Sequence, residues 1–166
     1  MILPINKQTI LITGAGRGLG SAISKSFHRE GAKVIINYRK SYESAKRLCD
    51  SLGNNAIIIK GDIRNKEDVV QMNKELSEQK ISITTVVHNA INDYKFNGEQ
   101  RKKIEEIDWQ DFQNQIETSQ KGFLNLLNIF TPNMRKGHFG RFITIGTNLF
   151  QNPVVPYHDY TAAKGG

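Results

Sequence analysis

The sequence has a single cysteine, Cys49, among its 166 residues, so no intrachain disulfide can form. On the apolar phase of a predicted helix, that thiol reads as a small buried hydrophobe rather than a reactive group. Long apolar runs are missing too: none approaches the ~20 residues that a membrane-spanning helix needs. Met1 to Gln8 carries no signal-peptide pattern. A cytoplasmic protein with no membrane partner is the simplest expectation. The four histidines, His28, His88, His138 and His158, lack metal-ligand spacing, and no metal is expected. Acidic residues are the scarcer charge, 16 against 23 Lys and Arg, for a net charge of +7. Such a surplus can attract an anionic partner. The basic residues are scattered, however, and the densest cluster, Arg101-Lys102-Lys103, runs into Glu105 and Glu106. Aromatic and basic residues do not interleave as they do in single-strand binders. Nucleic acid is therefore not an expected partner, and a phosphate-rich cofactor or ordinary solubility accounts for the charge better.

What is present is an alternation of two periods. Thr9–Thr13, Val34–Tyr38, Ala56–Ile59, Ile83–Val87 and Phe142–Ile145 are short β-branched runs, predicted as strands buried on both faces. Between them lie helical stripes: Ile23 and Phe27; Ala45, Leu48, Cys49 and Leu52; Val69, Met72, Asn73 and Leu76; then Phe112 to Phe130, with Pro132 expected to close that last helix. Alternation of this kind predicts right-handed β-α-β crossovers and an α/β, doubly wound parallel sheet of Rossmann type in one domain. A long polar connection from Asn92 to Asp108 is expected either to border a substrate site or interface, or to be a plain surface excursion.

Thr13-Gly14-Ala15-Gly16-Arg17-Gly18-Leu19-Gly20 follows the first strand directly and opens the first helix. Glycines there allow a tight turn and close approach of backbone to a pyrophosphate, and the helix N-terminus offers free N–H groups to the anion. An acidic residue at the end of the second strand would hold the ribose of NAD. That position is Tyr38, followed by Arg39, and Arg17 lies within the glycine loop. Two guanidinium groups beside the 2′ position suit a phosphate, which favours NADP(H). Near the other end, Tyr160 and Lys164 stand four apart on a predicted helix, a spacing that brings an ammonium close to a phenol and favours the phenolate.

Thr13-Gly14-x-x-x-Gly18-x-Gly20, the segment Val86-Val87-His88-Asn89-Ala90 and Tyr160-x-x-x-Lys164 together resemble the short-chain dehydrogenase/reductase family. Ile143-Thr144-Ile145-Gly146-Thr147 and Tyr157-His158-Asp159-Tyr160 are similar to its 3-oxoacyl-[acyl-carrier-protein] reductase branch, which serves fatty acid biosynthesis. The resemblance implies that Tyr160 transfers a proton, Thr147 binds the substrate oxygen, and Lys164 holds the ribose and lowers the tyrosine pKa. It places Ser119 where many members carry a water-anchoring asparagine. It adds Gly14, Gly16, Gly18, Leu19, Gly20, Asp62, Ile63, Asn89 and Ala90 to a cofactor set that already holds Arg17, Tyr38 and Arg39; Asp62 reads equally as a helix N-cap. The implied reaction is NADPH-dependent reduction of a 3-oxoacyl thioester, a small or carrier-bound acyl substrate, by a homo-oligomer (dimer or tetramer). Family members continue past the catalytic helix, so residues 1–166 are expected to be one incomplete domain. It would lack the C-terminal part of the fold, end on a helix about one turn long, and be inactive alone. The other reading is a dinucleotide-binding module without turnover.

Overall fold

The computed structural model describes residues 2–165. The β-branched runs pair as five parallel strands: β1 (Thr9–Ile12), β2 (Lys33–Tyr38), β3 (Ala56–Lys60), β4 (Thr85–His88) and β5 (Arg141–Thr144), in the order β3-β2-β1-β4-β5. Register places Leu11 beside both Ile35 and Val86. Alternate residues then feed opposite cores. Leu11, Ile35 and Val86 pack with Val69, Met72 and Leu76 of α3 (Lys66–Glu78) and with Leu126 and Phe130 of α5 (Gly122–Lys136). Ile10, Ile12, Val34 and Ile36 pack on the other face with Ala45 and Leu48 of α2 (Tyr42–Leu52), and with Ile23 and Phe27 of α1 (Gly18–Arg29). This two-sided burial is why the strands read as continuous apolar runs rather than alternating ones. Asn73, the polar position in the α3 stripe, accepts a hydrogen bond from Asn133 of α5 at 3.4 Å.

After β3 the chain crosses back to pair β4 with β1 on its other side, and the crevice between β1 and β4 is where such sheets bind ligands. β1 and β4 deliver the glycine loop and Asn89 to that crevice. β5 is an edge strand, partly exposed along its length. Among the described residues, no helix is long and apolar enough to cross a membrane.

Three elements differ from their sequence expectation. Pro132 does not close the long helix; α5 runs through it to Lys136, and the backbone bond it forgoes is offset by burial of Met134 in the core. The helix is also broken into α4 (Trp109–Ile116), a π turn (Glu117–Lys121) and α5, a wide turn that rotates the inward face. The closing helix, α6 (His158–Gly165), spans eight residues rather than one turn.

His88, at the end of β4, supports the π turn. Its Nε2 lies 3.1 Å from the Ser119 carbonyl oxygen. A carbonyl only accepts, so Nε2 carries the proton and Nδ1, buried without a partner, is left as an acceptor. The ring stacks on Phe123 with centroids 5.5 Å apart. Burial, reinforced by the nearby Lys164 ammonium and only partly opposed by the Ser119 bond, holds the His88 pKa down to about 4, against 6.5 when free.

A Cβ on Gly20 would sit 2.6 Å from Asn89 Nδ2 and 2.7 Å from the Gly14 carbonyl oxygen, so the glycine loop and the β4 end close on each other only because that carbon is absent. Gly20→Ala should cost about 1–3 kcal/mol in urea denaturation. Gly146→Ala, where a Cβ meets nothing within 4 Å, should stay within about 0.5 kcal/mol. His88 predicts a pH effect of definite sign. The unfolded chain takes up its proton below pH 6.5 while the native chain stays neutral down to about 4. The His88 contribution is therefore complete above that window and lost as pH falls through it. Between pH 7 and 4.5 the protein should lose roughly 2–3 kcal/mol more than its His88→Gln variant does, read from paired urea titrations.

Candidate active site

The glycine loop is tied to both neighbouring strands. Thr13 Oγ1 accepts from the backbone N–H groups of Asn89 and Ala90, each at 3.0 Å, and Asn89 Nδ2 donates to the Thr13 carbonyl oxygen at 2.9 Å. From β2, the buried Asn37 donates to the Gly61 carbonyl oxygen at 3.1 Å, accepts from the Gly14 N–H at 3.4 Å, and takes the Ala15 N–H on its own carbonyl at 3.0 Å. Asn37 is thus a scaffold residue that sequence reading passed over inside an apolar strand. Gly14 turns the chain at φ +61°, where side chains other than glycine are strained.

These ties leave a cleft of about 770 Å³ along the carboxyl ends of the strands. Of the residues expected to hold a cofactor, Gly14, Arg17, Gly18, Leu19, Gly20, Tyr38, Arg39, Asp62, Ile63, Asn89 and Ala90 all line it. Tyr160 and Lys164 do not, and neither does Gly16: its Cα faces α2, where an added Cβ would lie 3.2 Å from the Ala45 nitrogen, so it is a packing glycine. Asp62 is not the N-cap of α3, a role filled by Asn65. Its carboxylate instead pairs with Arg64 at 2.6 Å and Arg39 at 3.8 Å. Those two cations and the Arg64 N–H outweigh the desolvation that opposes them and hold the carboxyl below its usual range. No side chain caps the N-terminus of α1, so its first-turn N–H groups remain available to an anion. A close backbone cradle, free N–H groups and two guanidiniums at the rim fit a dinucleotide carrying a 2′-phosphate.

At the far end of the cleft, Tyr94 stacks on Tyr160 of α6 with centroids 4.7 Å apart, and Phe96 meets Tyr160 edge-on at 5.0 Å. Tyr160 is 8% exposed, and the Thr147 hydroxyl stands near enough to act on its phenol. The expectation that Lys164 lowers the Tyr160 pKa is not met. Burial pushes the phenol up, and the only opposing influence is the Thr147 hydroxyl. The Lys164 ammonium donates to the Ile145 carbonyl oxygen at 2.9 Å, and its own pKa is lowered by burial. Ser119 differs as well: the π turn directs its carbonyl to His88, while the neighbouring Thr118 is the buried residue that lines the cleft.

The structure adds a network that no spacing announced. Asp159, one residue before Tyr160 and almost fully buried, pairs with Arg101 at 3.1 Å and accepts from the Tyr94 hydroxyl at 2.9 Å. The Arg101 guanidinium lies 4.0 Å over the Tyr94 ring. Tyr157, next to these, accepts from the Gly98 N–H at 3.2 Å. The Asn92–Asp108 connection is thereby fastened over the tyrosine, and its length was the only sequence signal of that role.

Residues 8–166 match the short chain dehydrogenase family. The NADP-dependent 3-hydroxy acid dehydrogenase YdfG of Escherichia coli is 30% identical over 155 residues, covering 93% of this chain and 60% of its own. A short chain dehydrogenase of Claviceps purpurea is 27% identical over 167 residues, 97% of this chain and 60% of that protein. Among solved structures, serine dehydrogenase from Escherichia coli superposes with a TM-score of 0.80 at 28% identity, over 95% of this chain and 70% of that one. A closed form of serine dehydrogenase complexed with NADP+ gives the same score over 61% of its chain. This chain spans about three fifths of the length of the curated relatives it matches. With that family model matched over almost the whole chain and the glycine loop leading out of a parallel sheet, the chain belongs to the short-chain dehydrogenase family.

Proposed function

We propose that this chain carries the cofactor cleft and proton-transfer group of an NADP(H)-dependent carbonyl reductase of the short-chain dehydrogenase type. The observation that carries this reading is the placement of Tyr160 directly beneath Tyr94, a wall residue of the cleft whose rim holds Arg17 and Arg39. Arg17 and Arg39 would hold the 2′-phosphate, the α1 N-terminus and glycine loop the pyrophosphate, and Lys164 the nicotinamide ribose. When bound, the cofactor supplies hydride to a carbonyl carbon. Tyr160 delivers the proton to the carbonyl oxygen. Its burial keeps the phenol protonated at neutral pH, the state a proton donor requires. The Thr147 hydroxyl stabilises the phenolate left behind, and Lys164 adds positive charge beside the β4 and β5 ends. Ser119, through its carbonyl, keeps His88 and the π turn in place rather than meeting the substrate.

The favoured substrate class is a 3-oxoacyl compound. The thioester form is suggested by the Ile143–Thr147 and Tyr157–Tyr160 texture, and the free acid form by the names of the 3-hydroxy acid and serine dehydrogenases to which the chain is similar. Both place the reacting carbon two bonds from a carboxyl-derived group. We take the enzyme to act in the cytoplasm as a homo-oligomer. A dinucleotide-binding module without turnover is the second reading, favoured by the Lys164 ammonium, which bonds the Ile145 carbonyl and leaves the Tyr160 phenol raised by burial.

Tyr160→Phe keeps the ring that stacks on Tyr94 and removes only the hydroxyl. NADPH oxidation with acetoacetyl thioester or with 3-oxobutanoate should fall by roughly 10²–10⁴-fold, while NADPH affinity stays within about twofold. Normal turnover by the variant would overturn the assignment of Tyr160. NADPH binding with no turnover of either substrate by the unaltered chain would leave the binding module as the better reading.

A further inference from the structure

Asp93 sits where a phosphate would be expected. Its Oδ1 lies 3.3 Å from Arg17 Nη2 and its Oδ2 3.5 Å from Arg39 Nη2, so one carboxylate bridges both guanidiniums at the rim of the cleft. An anion with one oxygen toward each of two arginines makes the contacts a bound phosphate would make. The Arg17 pair is exposed, with 75% of the Arg17 and 65% of the Asp93 side chain open to solvent, and the Arg39 side chain, 27% exposed, divides its charge between Asp93 and Asp62. Such pairs are weak, which makes Asp93 displaceable.

The next residue along is Tyr94, whose hydroxyl donates to Asp159 and whose ring covers Tyr160. Asp93-Tyr94 therefore touches the cofactor rim through one side chain and the proton-transfer group through the other. Arg101, paired with Asp159, fastens the far end of the same segment. Asp93–Arg101 is a strap with two anchors: an exposed, weak one at the arginines and a buried, strong one at Asp159.

Resting on the NADP(H) reading above, we infer that Asp93 is an internal competitor for the 2′-phosphate. NADP(H), but not NAD(H), would then release the weak anchor of the strap over Tyr160. Asp93 lowers affinity only for ligands that carry the 2′-phosphate and makes that phosphate the signal that loosens the cover of the tyrosine.

The test uses the full chain and two probes, adenosine 2′,5′-bisphosphate and adenosine 5′-monophosphate, by titration calorimetry. Asp93→Asn should bind the bisphosphate roughly three- to tenfold tighter than the unaltered chain, with monophosphate affinity unchanged within about twofold. Trypsin cleavage after Lys95 provides the second reading. In the unaltered chain it should be faster with saturating bisphosphate than with saturating monophosphate, and in Asp93→Asn equally fast with both. Equal bisphosphate affinity for the two proteins, a matching gain for both nucleotides, or cleavage insensitive to the bisphosphate would overturn the inference while leaving the cofactor reading intact. Failure of the unaltered chain to bind either nucleotide would remove the cofactor reading, and this inference with it.

Discussion

Thr13 and Asn89 bind the end of β1 to the end of β4 through three hydrogen bonds: two backbone N–H groups on one threonine hydroxyl, and one side-chain amide on the Thr13 carbonyl. Strands in a parallel sheet are held along their length, but beyond their carboxyl ends the chains diverge toward helices on opposite faces. Without a tie at that point the crevice would have no fixed width. Asn89 can reach Thr13 only because Gly20 presents no Cβ where its amide passes. Every cleft-lining position depends on this closure, from the unclosed N–H groups of α1 on one side to the segment after β4 on the other. Asn37 secures the opposite flank by bonding the glycine loop to the turn after β3.

The connection after Asn89 then carries the site from cofactor to chemistry. It leaves the crevice at Ala90, passes the two arginines at Asp93, and covers Tyr160 with Tyr94 and Phe96. Its hold on α6 is the Arg101–Asp159 pair, in which a carboxylate 3% exposed meets a guanidinium that also lies over an aromatic ring. A pair so buried is costly to break from one side, because the remaining charge has no water to return to. Tyr160, beneath this connection, is almost fully covered, and that burial raises its phenol pKa, which suits a donor. Burial, rather than a neighbouring ammonium, sets the direction of that shift.

The parts legible in the sequence were those written in local pattern. Ile10-Leu11-Ile12 and Val34-Ile35-Ile36 announced strands because burial on both faces removes any polar alternation. The glycine loop announced itself because Gly14 and Gly20 meet constraints that no other residue satisfies. Tyr38-Arg39 gave the cofactor preference by the absence of an acid. Less visible was whatever joins distant residues: Arg101 reaches Asp159 across 58 positions and Arg17 reaches Asp93 across 76, with no period to betray either. The π turn escaped because Ile116 and Phe123 keep a helical spacing across it, and with it went the inward role expected of Ser119. The Tyr160–Lys164 spacing was read correctly as one helix face, yet the ammonium found the Ile145 carbonyl instead of setting the phenol. The likeness to 3-oxoacyl-[acyl-carrier-protein] reductases rested on the short Ile143–Thr147 and Tyr157–Tyr160 texture. Relatives such as YdfG and the Escherichia coli serine dehydrogenase bear the names of other activities, so that texture resolves the family more surely than the branch.

The central claim is that the cleft between β1 and β4 takes a dinucleotide by its 2′-phosphate. Affinities of this chain for NADPH and NADH, measured side by side by cofactor fluorescence at one salt concentration, test it most directly. The account predicts NADPH to bind tighter by roughly tenfold or more, as two guanidiniums on one phosphate require. Equal affinities, or a preference for NADH, would contradict it.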